Sequence, residues 1–144
     1  MKEQTLANHS RVVPAFHMVA LPILLLNFVY SIYVLVHTWF SFGALVSLLV
    51  AIALLLIASY GRMFALTVQD RVIRLEMRLR LEKLLPADLK PRIPEFTVDQ
   101  LVALRFASDA ELPDLARRVL DENVKDRKAI KQMIKTWKPD YLRA

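Results

Sequence analysis

His17 and His37 are the residues that most invite a metal or haem, because neutral imidazole is a common metal ligand. They lie 20 positions apart in one charge-free stretch, ~30 Å along a helix at 1.5 Å per residue. They therefore cannot meet on one ion within a chain. The third histidine, His9, stands near the N-terminus, away from most of the acids. This leaves no Ser-His-acid set to assemble. There is no cysteine, which removes thiol nucleophiles, thiolate metal sites and disulfides. Gly43 and Gly61 are the only glycines, too few for a phosphate-cradling loop. The expectation is a non-enzyme with no cofactor, metal or catalytic residue. What remains is cationic. Lys128, Lys131, Lys135 and Lys138 are spaced three and four apart. On one helix they would form a basic face, either solvated or drawn to anionic lipid headgroups. Nucleic acid ranks last as a target, because Asp121, Glu122 and Asp126 stand beside the lysines and the net charge is only +6.

The elements that must position these residues follow from charge. Val12 to Gly61 contains no Asp, Glu, Lys or Arg. At ~20 residues per crossing, this is enough for two membrane spans. The first is expected from Ala15 to about Val36, with Pro14 in its first turn and a kink at Pro22. The second is expected from Gly43 to about Tyr60. Between them, "HTWFSF" carries Trp39, Phe40 and Phe42, which suit a membrane interface. The first run is too long for the ~7–15-residue core of a signal peptide and lacks a small-residue cleavage site. Lys2 and Arg11 precede the spans and Arg62, Arg71 and Arg74 follow them, while the intervening turn has no cation. The positive-inside rule then puts both termini in the cytoplasm, where the sequon at Asn8 would be inert. Gly43, Ser47 and Ala51 recur every four residues, and Asn27 and Ser31 share a face of the first span. Small faces allow close helix approach in lipid, so these five residues are expected to close the hairpin.

From Arg62 to Leu85 there is neither Gly nor Pro, so the second helix should continue as a neck until Pro86. Within it "RLEMRLRLE" alternates charged and apolar residues, which resembles a strand, yet each residue is a strong helix former. The pairs Asp70–Arg74, Glu76–Arg80 and Arg78–Glu82 also favour a helix. At ~100° per residue the alternation becomes two apolar stripes on opposite sides. Ala65, Val68, Val72, Leu75 and Leu79 form a short heptad seam, and Ile73, Met77, Leu81 and Leu84 form the other stripe. One core cannot cover both. The neck should therefore meet its own tail on one side and, on the other, a second copy or a foreign protein.

"PADLKPRIPE", residues 86–95, reads as a stiff linker. Thr97 with Gln100 makes a capping box, and Phe96 with Leu101 a hydrophobic staple, opening a helix to about Phe106. Ser108 with Glu111 repeats the box for a helix to about Glu122, with Pro113 near its first turn. Asn123 is a break, and a third helix should run from about Lys125 to Trp137, stopped by Pro139.

The stretches "QDRVIRLEMRLRL", "RFASDAELPDL" and "IKQMIKTWKPDYLRA" resemble a family of short, uncharacterised bacterial membrane proteins with two spans and a charged cytoplasmic tail. The resemblance extends from the first span to the C-terminus. It implies this topology and a bacterial cell (inner) membrane address, and it transfers no catalytic residue.

The expected fold is all-α: a membrane hairpin with its second helix extended into the cytoplasm, then a bundle of about three short helices. Its parts are a tail and hairpin (1–61), a neck (62–85), a Pro-rich linker (86–95) and the bundle (96–144). The expected function is a membrane scaffold or accessory subunit that binds a partner, or itself, through neck and tail. The alternative is a tethered module whose basic last helix binds anionic lipid or nucleic acid. A small oligomeric channel ranks third, because the spans carry no charge.

Overall fold

The computed structural model describes residues 12–140. Among them the fold is all-α, with no strand and one isolated antiparallel bridge. The elements are a π-helical turn at Ala15–Ala20, α1 at Leu21–His37, α2 at Phe42–Leu84, a 3-10 helix at Lys90–Glu95, α3 at Val98–Leu104, α4 at Leu112–Asp121 and α5 at Arg127–Met133. Two compact units divide the described residues at 65/66, and α2 contributes to both.

The first unit is a helical hairpin. Its two helices are long and apolar enough to span a membrane. The strain of Pro22 is taken up just ahead of it by the π turn. A proline ring clashes with the carbonyl four residues earlier, and a wider turn moves that carbonyl aside. α1 ends in a Schellman arrangement, with Phe40 N–H donating to Leu35 O at 2.9 Å and Trp39 N–H to Val36 O at 3.3 Å. Trp39 and Phe40 hold φ of 50° and 61°, a left-handed conformation that bulky residues rarely adopt. Both are largely exposed, as interfacial aromatic anchors would be.

The face that closes this hairpin differs from the one expected. Ser31 and Leu35 are buried on α1, and Ala44 and Ala51 on α2. Leu48, Leu55 and Ala58 are partly covered along the same line. This is an alternating Ala/Leu seam with spacings of four and three, in which the alanines leave room and the leucines fill it. Of the five expected residues, Ser31 and Ala51 lie in the seam, while Asn27, Gly43 and Ser47 are exposed. The serines do not need a facing helix. Ser31 Oγ donates to Asn27 O at 2.8 Å and Ser47 Oγ to Gly43 O at 3.0 Å, so each hydroxyl is satisfied within its own helix.

The second unit packs the tail on one side of the neck. Ile73, Met77 and Leu81 are at most 5% exposed and belong to a core with Leu101, Leu104, Leu112, Ala116, Val119 and Ile130. Full burial of each of the larger side chains among them is worth roughly 1.5–3 kcal/mol. The every-fourth-residue stripe does not stop at Pro86. It continues through Leu85, Leu89 and Ile93, all buried in the same core. Residues 86–95 are therefore not a spacer. The prolines fix φ, the chain folds into a 3-10 helix, and its apolar residues turn inward.

α3 opens with the expected capping box. Gln100 N–H donates to Thr97 Oγ1 at 3.2 Å, and Gln100 Oε1 accepts from Thr97 N–H at 2.8 Å. The buried Gln100 amide also donates to Val124 O at 2.9 Å, so the cap fastens α3 to the end of α4. The second box forms by half. Ser108 Oγ accepts from Glu111 N–H at 3.3 Å, but the Glu111 carboxylate turns to the C-terminal segment. Asn123 ends α4 in the left-handed region at φ 49°, with Val124 N–H donating to Val119 O at 3.0 Å.

The last helix is shorter than expected. Asp126 caps α5 by accepting from Ala129 N–H at 2.7 Å, and the helix stops at Met133 with Ile134 extended. The following residues run back along the 105–108 loop. Ser108 N–H donates to Thr136 O at 3.1 Å, and Lys138 N–H donates to Phe106 O at 2.7 Å. The Glu111 carboxylate accepts from Lys135 and Thr136 N–H at 2.7 and 2.8 Å. These tertiary partners satisfy the backbone groups that a longer helix would have satisfied, and Pro139 disfavours helix at Lys138. Lys135 and Lys138 are thus off the helix, and the four lysines do not share one helical face.

Candidate functional site

The neck keeps its second stripe open. Val68, Val72, Leu75 and Leu79 are 59%, 49%, 61% and 64% exposed, against 5%, 3% and 0% for Ile73, Met77 and Leu81 on the opposite side. Leu84, expected with the buried stripe, packs partly against the core. The tail covers one face of α2 and leaves the other free. Together Val68, Val72, Leu75 and Leu79 make a contiguous apolar strip along a regular helix.

The flanks of this strip are charged asymmetrically. Arg71, Arg74 and Arg78 stand along one side, where with Leu75 they line a shallow cleft. Glu76 stands on the other side. Arg71, Arg74, Arg78 and Glu76 make no ion pair with another described residue. The expected i,i+4 pairs do not form. Asp70 goes to Arg127 at 3.3 Å instead, and Arg80 turns to the tail.

Arg80 is one of two arginines that tie neck to tail. Its Nη1 donates to Arg105 O at 3.1 Å, its Nη2 to Ala107 O at 2.6 Å and its Nε to Asp109 Oδ1 at 2.8 Å. The first two acceptors are carbonyls at and beyond the C-terminal end of α3, where unpaired acceptors and the negative end of the helix dipole favour a cation. The Arg80 hydrogen bond, opposed by partial desolvation and helped by Lys138, holds the Asp109 carboxyl below its ordinary range. Arg127 does similar work elsewhere, reaching Asp99 on α3 and Asp70 on the neck. Around the loop, Phe106 and Trp137 stack with centroids 4.5 Å apart. Arg105 Cζ lies 4.6 Å from the centre of the Phe106 ring, and Lys131 Nζ lies 5.3 Å from it. Nothing local in the sequence signals these contacts, because Arg80 and Asp109 are 29 residues apart.

The remaining expected positions are dispersed. His17 Nδ1 lies 3.0 Å from Val13 O in its own first turn, and the His37 ring packs 4.2 Å from Tyr33. Lys131 lies by Phe106 and Lys138 pairs with Asp109 at 3.3 Å. Lys128 and Lys135 are exposed.

A search of curated proteins and of solved structures finds no match. A family model does match, over residues 1–144, and its description is a family of unknown function. With two apolar helices of spanning length and a charged helical tail, the chain belongs to that family, DUF6526.

Proposed function

We propose that this protein is a non-enzymatic membrane scaffold or accessory subunit that binds a protein partner through its neck. In this reading the hairpin is an anchor in the bacterial cell (inner) membrane, and both flanks of the hairpin, with both termini, face the cytoplasm. The distribution of cations supports that orientation: they flank the hairpin and are missing from the aromatic turn. The observation that carries the binding role is the open stripe of Val68, Val72, Leu75 and Leu79, which the tail leaves uncovered while filling the other side of the same helix. The basic-helix alternative has weaker support, because α5 ends before Lys135 and Lys138.

The test is purification of the full chain from native membranes in mild detergent. The expected result is a complex that Val72→Glu with Leu75→Glu dissolves while the tail stays folded. A strictly monomeric chain with no companion would remove the reading.

A further inference from the structure

We propose that the occupant of the open neck stripe is the same stripe of a second copy, paired in parallel as a short two-stranded coiled coil. The inference rests on the binding role proposed above and names its partner. Spacings of four, three and four between Val68, Val72, Leu75 and Leu79 place Val72 and Leu79 at a positions and Val68 and Leu75 at d positions. The central pair, Val72 at a with Leu75 at d, is the combination that favours two parallel strands, while Val68 at d and Leu79 at a are apolar but reverse it. Two copies held in one membrane with the same orientation present their necks in parallel, the arrangement that the Val72/Leu75 layer prefers.

Charge supplies the second argument. In this register Arg71 occupies g and Glu76 occupies the following e, five residues on. In a parallel pair, g of one strand faces that e of the other. Arg71 of each copy would meet Glu76 of its mate, twice across the two-fold axis. Both side chains are exposed and neither makes an ion pair with another described residue. They are not i,i+4 partners, so the match has no use within one helix. The same register also sets the end of the seam: the next d position is Glu82, and Arg78 would face Lys83 of the mate. Pairing therefore stops after Leu79, at about two heptads. A seam that short is weak in free solution, but confinement of both copies to one membrane raises their effective concentration.

Because the chain contains no cysteine, each introduced thiol is the only one. The experiment oxidises single-cysteine variants of the full chain in native membranes. Disulfide-linked dimers are expected for Val68→Cys, Val72→Cys, Leu75→Cys and Leu79→Cys, and not for Arg74→Cys, which lies off the seam. On the Leu75→Cys background, Arg71→Glu alone and Glu76→Arg alone should each cut the dimer yield severalfold. The double reversal should restore it, because only a self-pair exchanges both charges at once. A flat crosslinking profile, or a double reversal no better than the singles, would overturn self-pairing. If the chain then still copurifies with a different protein through the stripe, the proposed binding role stands and only its occupant changes. With neither dimer nor companion, both readings fall.

Discussion

At the scale of the residue, Arg80 shows most clearly how an ordinary helix-surface cation becomes structural. Its planar fork meets two backbone carbonyls and one carboxylate, a geometry that an ammonium cannot reproduce. Arg80→Gln is expected to destabilise the neck–tail unit by about 1–3 kcal/mol, with Arg80→Lys recovering little of it. Thermal unfolding in detergent followed by circular dichroism reads both. Asp109 adds a pH dependence whose sign is set by its lowered pKa. A carboxylate stabilised in the folded state contributes above its unfolded pKa, and that contribution fades as the pH falls through the folded value. The unit should therefore weaken below about pH 4. Asp109→Asn should be less stable at neutral pH and show a flatter decline into acid, measured as the midpoint against pH. Because Asp109 is well exposed, the effect is screened and modest.

At the scale of the element, α2 displays two opposite environments on one helix. Leu81 is fully buried and Leu79, two residues earlier, is mostly exposed. Leu81→Ala is expected to cost about 2–5 kcal/mol, as core leucines do. Leu79→Ala should leave the fold of the tail almost unchanged and act only on association. Limited proteolysis of the tail separates the two, since it reports the population of opened molecules. The alternation in "RLEMRLRLE" is thus a helix with one buried and one exposed apolar stripe, and both stripes were legible because helical periodicity is a local property. The short α5 was not legible. Its apolar spacing continues to Trp137, yet the segment instead pairs with the 105–108 loop. Residues 86–95 escape a local reading for a related reason: proline spacing reveals a stiff chain, but not that Leu89 and Ile93 have a core to enter.

At the scale of the whole molecule, the proposed orientation makes a direct prediction. Ser41→Cys, in the turn between α1 and α2, should react with a membrane-impermeant maleimide added outside intact cells, once the outer barrier is permeable. Glu95→Cys, exposed in the tail, should react only after the inner membrane is opened. The reverse pattern would invert the topology and move the neck away from the cytoplasm. Family membership adds no chemistry to this picture, and the surfaces of neck and tail carry what can be said of function.

The sequence by itself determined two apolar helices, a continuous neck, the Thr97 cap of α3 and the Asn123 stop of α4. Each follows from charge, period or capping within a few residues, where the deciding partners are chain neighbours. Only the tertiary structure decided which face of each apolar helix closes the hairpin, which neck stripe is covered, where α5 ends and where Arg80 points. Those choices compare partners that lie far apart in the chain. A serine bonded to its own helix no longer needs a neighbour, and a carbonyl or carboxylate brought near by folding outbids the local one.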